Sequence, residues 1–262
     1  MPPDTDSPLL LRRDGALARI VFNRPRQLNA IDVATAEAFE QACATLATDP
    51  GLRVVVVQGE GRGFGAGGDL RAFGDDAPAT ALALIEPMHR GLLHLSRLDA
   101  PVIASLQGSV SGGSLSLALG CDLAIAADDL RLNLAYAQVA ASCDVGGSWH
   151  LPRLVGLRRA MEIALLGPSL DAATALSWGL VNQVVPAAEL AQATTALAQR
   201  LAQGPTAAYG RLKRLLRAAH DHDLPTQLDL ERDGFHQSTR TADFREALQA
   251  FRERRAPRFQ GR

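Results

Sequence analysis

The sequence predicts an α/β protein: a strand–helix N-terminal core followed by a helical C-terminal third. Three observations carry that reading. "VVVVQG" (54–59), "PVIASLQG" (101–108) and "DLAIAA" (122–127) are short, continuous apolar runs, the pattern of strands buried on both faces of a parallel sheet. Beyond Leu170 the pattern changes to a helical one. Between the two parts there is no stretch rich enough in Pro, Gly or Ser to act as a linker between independent domains.

Taken in order, "ALARIVF" (16–22) is rich in β-branched and aromatic types and reads as a strand. "NRPRQLNAID" is a loop. Asp32 is placed to N-cap a helix running to about Thr48, with Phe39, Cys43 and Leu46 on one face. The run at 54–59 is the next strand and 79–98 the next helix, and the runs at 101–108 and 122–127 complete the buried strands. Segments 171–178, 187–203, 205–220 and 224–254 read as helices; in 187–203, Leu190, Thr194, Leu197 and Leu201 keep a three- to four-residue period. The expected division is a core over 1–170 and a helical region over 171–262.

Composition excludes several classes. The 262 residues are 47% hydrophobic and 21% charged, an ordinary globular balance. A net charge of −1 gives no footprint for nucleic acid. The basic stretch "FRERRAPRFQGR" reads as a solvated surface tail. Cys43, Cys121 and Cys143 lie far apart and form neither a metal-ligand spacing nor a disulfide framework. "MPPDTDSPLL" lacks the basic and apolar regions of a signal peptide. No apolar run approaches the ~18 residues of a membrane span. The expectation is a cytoplasmic protein without metal or membrane partner.

One internal echo points to chemistry. "VVVVQGEGRGFGAGGDL" and "PVIASLQGSVSGGSLSLALG" share a plan of buried strand, glycine-rich loop and apolar helix start. Such loops free backbone N–H groups, and a helix N-terminus adds favourable potential for negative charge. On neighbouring strands, the two could aim one N–H each at a single point and form an oxyanion hole. Gly63, Gly65 and Gly68 also spell G-x-G-x-x-G. The match is not on the first strand, and no acidic residue stands where a ribose partner belongs, so a dinucleotide site is not expected.

"NRPRQLNAID", "GFGAGGDL", "PVIASLQGSVSGGSLSLALGCDLAIA" and "GGSWHLPRLVGLRRAMEIALLG…ALSWGLVNQVV" resemble the enoyl-CoA hydratase/isomerase family, the crotonase superfamily. The resemblance runs from about residue 10 to the C-terminus. It implies a spiral of ββα units with a helical C-terminal trimerisation region, assembled as a homotrimer or a dimer of trimers. It implies an acyl-CoA thioester substrate, with coenzyme A as part of that substrate and no further cofactor. The family's oxyanion donors map onto the backbone N–H groups of Ala66 and Gly113. Arg24 and Arg26 fall in the loop that meets the nucleotide phosphates. Leu28, Ala66, Gly68, Asp69 and Leu70 fall on the family's acyl-CoA-contacting positions, with Asp69 the structural member.

The sequence also departs from the family's hydratases, which use two glutamates. Adding water across a double bond requires activating water and managing the α-proton in one site. The first glutamate maps onto Ser116, the second onto Tyr136. Ser116 is no base at neutral pH without an activating partner, and no triad pattern is visible. The carboxylate that remains is Asp144, two residues before a glycine pair. Its position resembles that in dienoyl-CoA isomerases, epoxyphenylacetyl-CoA isomerases and chlorobenzoyl-CoA dehalogenases. An ordinary aspartate, with a pKa near ~3.9, is a weak base for a carbon acid, so the reading requires an apolar pocket that raises it. The bland alternative is that Asp144 caps the helix near Ser148 or shapes its turn.

Moving a double bond needs only one base, which makes isomerisation with Asp144 as acid/base the economical reading. The dehalogenase branch pairs its aspartate with a tryptophan eight residues earlier and a histidine on the helix before "PVIA". Here those places hold Tyr136 and His89, candidates for a catalytic acid and a catalytic histidine or else pocket wall. His94 and His150 read as structural. "FGDDAPATALALIEPM", following Leu70, is expected to shape the acyl pocket. The rival readings are a hydratase with altered machinery, an aryl-CoA dehalogenase or hydrolase with Asp144 as nucleophile, and a non-catalytic acyl-CoA binder.

Overall fold

The central strands "VVVVQG" and its neighbours fix the architecture, because both of their faces are apolar and both must be covered. In the computed structural model, which describes residues 7–262, they form the middle of a six-stranded sheet. Most of the segment read as lacking a signal peptide falls in residues 1–6, outside the described residues. The chain enters through a hairpin, β1 (Leu9–Asp14) and β2 (Leu17–Phe22). Then come α1 (Val33–Ala47), β3 (Val54–Gly59), α2 (Ala77–Arg97) and β4 (Val102–Leu106). Next are β5 (Ser109–Ser111), α3 (Gly112–Gly120), β6 (Leu123–Ala127), β7 (Arg131–Asn133) and α4 (Gly147–Leu166). The last third holds β8 (Leu170–Asp171), α5 (Ala172–Ser177), β9 (Gln183–Val185), α6 (Leu190–Ala202), α7 (Thr206–Ala218), α8 (Leu224–Thr239) and α9 (Ala242–Glu253).

The sheet order is β1-β2-β3-β4-β6-β9, antiparallel only in the first pair. Alternate residues serve opposite faces. Val55, Val57, Ala104 and Ala126 face the main core under α1, α2 and α3, whereas Val54, Val56 and Ile103 pack against Ala198 of α6. A second small sheet, β5-β7-β8, stands beside it and carries the start of α3. Asp32 caps α1 as expected, accepting from the Thr35 N–H at 2.9 Å, and Phe39, Cys43 and Leu46 are buried. The strand and helix order agrees with the spiral that the resemblance implied.

Two expectations are corrected. The stretch 224–254 is two helices: Thr241 leaves helical geometry and its hydroxyl caps α9 through the Phe244 N–H at 3.1 Å. A hydroxyl that satisfies the next helix's first donors makes that break cheap. The region from 171 is not wholly helical, for β9 pairs with β6; as the missing linker implied, it is also continuous with the core, α6 covering one face of the sheet. The strands β5, β7, β8 and β9 are three residues or shorter, too brief for a period-two signal, and β1 is half polar. Farther on, α7 is clamped to the core through Asp122, which accepts from Lys213 Nζ (2.7 Å) and Arg217 (2.8 Å). Among the described residues, no helix is long and apolar enough to cross a membrane, and no cluster of His, Cys, Asp and Glu could hold a metal ion.

Candidate active site

Parallel pairing of β3 with β4 brings the two glycine-rich loops to the same end of the sheet, beyond the C-termini of its central strands. There they are laced together. The Gly65 N–H donates to the Ser109 carbonyl (3.1 Å), the Ser111 N–H to the Gly65 carbonyl (2.8 Å), and the Gly67 N–H to Ser114 Oγ (3.1 Å). The approach is so close that a Cβ at Gly65 would collide with the Ser114 side chain. Gly67 has φ +87° and would bring a Cβ to 3.0 Å from the Ser111 carbonyl oxygen. The glycines are there for contact between backbones, in a conformation side chains disfavour.

The lacing decides which N–H groups are free. Ser111 precedes α3 without a side-chain cap; among the described residues the Gly113 N–H has no hydrogen-bond partner, and Gly113 lines the adjoining cavity. Ala66 is a different case and corrects the sequence reading. Its N–H donates to the Leu28 carbonyl at 2.9 Å, so that donor is taken. Two residues on, the Gly68 N–H has no hydrogen-bond partner among the described residues, and Gly68 lines the cavity. The donor pair available at the cavity is therefore Gly68 and Gly113.

Asp144 reaches the same point from the opposite side. It sits on the turn entering α4, where Val145 adopts φ +48° and Gly146 φ +78°. A left-handed conformation is costly for a β-branched residue. Here Val145 is held by burial of its side chain and by its N–H, which donates to His89 Nε2 at 3.1 Å. The Asp144 side chain does not cap α4, whose N-cap is Gly146 with no side-chain bond. It turns to the cavity instead, and Oδ1 accepts from the Tyr136 hydroxyl, which lies 3.1 Å from Ser116 Oγ. A Cβ on Gly113 would lie 3.5 Å from Asp144 Oδ1 and 3.7 Å from the Tyr136 oxygen, so carboxylate, phenol and helix start converge.

Burial pushes the Asp144 carboxyl above its ordinary value, opposed chiefly by the Tyr136 hydrogen bond. Burial and the neighbouring carboxylate push the Tyr136 phenol upward, keeping it a protonated donor. His89 is brought next to the Asp144 turn but does not line the cavity; its ring nitrogen is spent on the Val145 backbone. His150 packs behind that turn, and burial lowers it to about 4.

The cavity measures about 420 Å³. Leu70, Phe73, Leu84, Ile85, Met88 and Val139 supply its apolar walls, so the segment after Leu70 does shape it. Asp144 is the one carboxylate among its lining residues. At the loop of the resemblance, Arg24 is committed inward, to Asp32 (3.1 Å), Asp69 (3.3 Å) and the Ala30 carbonyl. The nucleotide-contacting role expected of it is corrected on that ground. Arg26 is exposed on the turn Pro25–Gln27, without an ion pair among the described residues. Asp69 is buried, takes Arg71 at 3.0 Å and the Arg71 N–H at 3.2 Å, and is held below the usual carboxylate range by Arg71 and Arg24. Leu28 serves through its carbonyl, on Ala66.

Sequence reasoning missed the spent N–H of Ala66, the hydroxyl of Ser114 and the contact between Ser116 and Tyr136. The Ala66 bond reaches back 38 positions to Leu28, and Ser116 finds Tyr136 across 20. Nothing local signals such pairings.

Residues 12–262 match the enoyl-CoA hydratase/isomerase family. A 1,2-epoxyphenylacetyl-CoA isomerase of Escherichia coli is 37% identical over 93% of this chain and 94% of its own length. A carnitinyl-CoA dehydratase of Salmonella typhi is 34% identical over 97% of this chain and 98% of its own. The crystal structure of an enoyl-CoA hydratase from Bacillus anthracis superposes with a TM-score of 0.92 at 30% identity, covering 97% of this chain and all of that one (100%). The chain belongs to the enoyl-CoA hydratase/isomerase family and is an enzyme of it.

Proposed function

We propose that this family member is an acyl-CoA isomerase that moves a carbon–carbon double bond through a thioester enolate. The observation that carries the reading is the single cavity carboxylate, Asp144, facing the uncapped start of α3. The thioester oxygen sits between the N–H groups of Gly68 and Gly113. As a proton leaves Cα, charge moves onto that oxygen, and fixed donors plus the α3 dipole stabilise it. Asp144 takes the proton and returns it at Cγ, so the β,γ-alkene becomes the α,β-alkene with no net gain or loss. The raised Asp144 is a better base than an exposed aspartate, and Tyr136 holds it in place. The absence of a second carboxylate in the lining counts against two-carboxylate hydration. The identity with an epoxyphenylacetyl-CoA isomerase supports the isomerase branch.

The acyl group is apolar, since the walls offer no cation and no second anion. Arg26, exposed at the loop and without an ion pair among the described residues, is placed for the nucleotide end of coenzyme A. The protein assembles as a trimer or a dimer of trimers. Leu157, Leu165 and Leu166 of α4, Leu216 of α7 and Phe251 of α9 stand exposed on a single chain, large apolar side chains that such an assembly would cover. Sedimentation of the purified protein checks the assembly.

The test is turnover of β,γ-enoyl-CoA in deuterated water. Bond migration with deuterium uptake, lost on Asp144→Asn, is the expected result. Fast water addition to enoyl-CoA that ignores Asp144 would mean a hydratase with different machinery. Halide release from chlorobenzoyl-CoA would make Asp144 a nucleophile. Tight acyl-CoA binding without any turnover would make the protein a binder.

A further inference from the structure

We infer that Ser116 is a positioning residue: its buried hydroxyl donates to the Tyr136 phenol oxygen, fixing that phenol as a donor to Asp144 Oδ1 and leaving Oδ2 to exchange protons with substrate. The inference rests on the isomerase reading above and extends it to the hydrogen-bond partners of the base.

Hydrogen counting gives the direction. A phenol carries one hydrogen, and an ionised carboxylate only accepts. The Tyr136 hydrogen therefore goes to Asp144 Oδ1. The 3.1 Å contact between Tyr136 and Ser116 Oγ then needs a hydrogen from Ser116. Ser116 is 0% exposed, so water does not compete for it. Its place is tight as well: a Cβ at Gly147 would come within 2.5 Å of Ser116 Oγ, so α3 and α4 close around the hydroxyl. Three elements meet there, α3 with Ser116, the turn Tyr136–Val139 with the phenol, and the α4 turn with Asp144.

A chain of aligned donors strengthens each bond within it. Ser116 makes Tyr136 a better donor, and Tyr136 favours the ionised carboxylate. When Oδ2 takes the substrate proton, Oδ1 still accepts from Tyr136, so nothing in the chain rotates during turnover. The titratable groups facing Asp144 among the described residues are Tyr136 from its turn, His89 from α2, and Cys143 beside it.

The experiment measures kcat/KM against pH for a β,γ-unsaturated hexenoyl-CoA, with deuterium uptake followed in parallel. Wild type, Ser116→Ala, Ser116→Cys, Tyr136→Phe, the Ser116→Ala/Tyr136→Phe double variant and Asp144→Asn are compared. Losing the Ser116 donor moves the acidic limb up by about half a pH unit, and losing Tyr136 moves it by about one. Because Ser116 acts through Tyr136, the double variant shows the same limb as Tyr136→Phe. Ser116→Cys keeps the volume with a weak donor and shifts the limb as alanine does, which covers a folding failure of Ser116→Ala. A fall in rate with an unmoved limb, or an additive shift in the double variant, overturns the inference while leaving the isomerase reading intact, provided Asp144→Asn is inactive. If Asp144→Asn still exchanges deuterium, the isomerase reading itself falls.

Discussion

Asp144 lines the cavity and Asp69 stands just behind its wall, and their surroundings push the two aspartates in opposite directions. Asp69, between the lining residues Gly68 and Leu70, is held by Arg71 and Arg24 below the usual carboxylate range. Asp144 has Tyr136 and no arginine, and burial lifts it. The first carboxylate has its charge neutralised and its lone pairs filled, so it shapes a loop. The second is left with an oxygen to spare in an apolar pocket, so it is available for chemistry. The same division separates Arg24, spent on Asp32 and Asp69, from Arg26, exposed and unpaired among the described residues.

Exchanging each charged group for its neutral counterpart breaks the comparison most directly. Asp144→Asn is expected to cut turnover by about 10²–10⁴-fold while leaving thermal stability equal or higher at neutral pH. The sign follows from the lifted carboxyl: folding favours its protonated form, so its contribution is full below the ordinary carboxylate pKa and is lost as pH rises through the raised one. Scanning calorimetry beside the rate assay measures both. Asp69→Asn does the reverse, losing roughly 1–3 kcal/mol of stability at pH 7. For a depressed carboxyl the contribution is present above the ordinary pKa and disappears as pH falls through the lowered one. Denaturant titrations of wild type and variant should therefore converge in strong acid.

Smaller effects sharpen the contrast. The wild-type rate is expected to rise with pH through an acidic limb lying above the ~3.9 of a free aspartate, because the base must be ionised. A limb at or below that value would deny Asp144 its role. Arg26→Ala should raise KM a few-fold, about 1 kcal/mol or less for an exposed pair, more at low salt and with no change in melting temperature. Arg24→Ala should lower the melting temperature instead, since Asp32 and Asp69 both lose a partner.

Much of the fold was legible because its signals are local. The Asp32 cap, the doubly apolar runs of β3, β4 and β6 and the three- to four-residue period of α6 each lie within one window. The short strands β5, β7, β8 and β9 carry too few residues for a period, and the Thr241 break was hidden inside a continuous helical pattern. At the site, the sequence singled out Asp144, Tyr136 and Gly113, which line one cavity, and its two glycine loops lie laced side by side. It placed the second donor on Ala66, and nothing local would have moved it to Gly68.

The sequence by itself determined the residue types: strands apolar on both faces, glycines where backbones must touch, one aspartate before a glycine pair, and serine and tyrosine where hydratases carry glutamates. The tertiary structure alone decided which of those groups remain uncommitted. That Leu28 consumes the Ala66 N–H, that Arg24 and Arg71 consume Asp69, and that Ser116 meets Tyr136 depend on distances across the fold. Availability for chemistry is what remains after every buried donor and acceptor has found its partner, and those partners are set by folding rather than by neighbours in the chain.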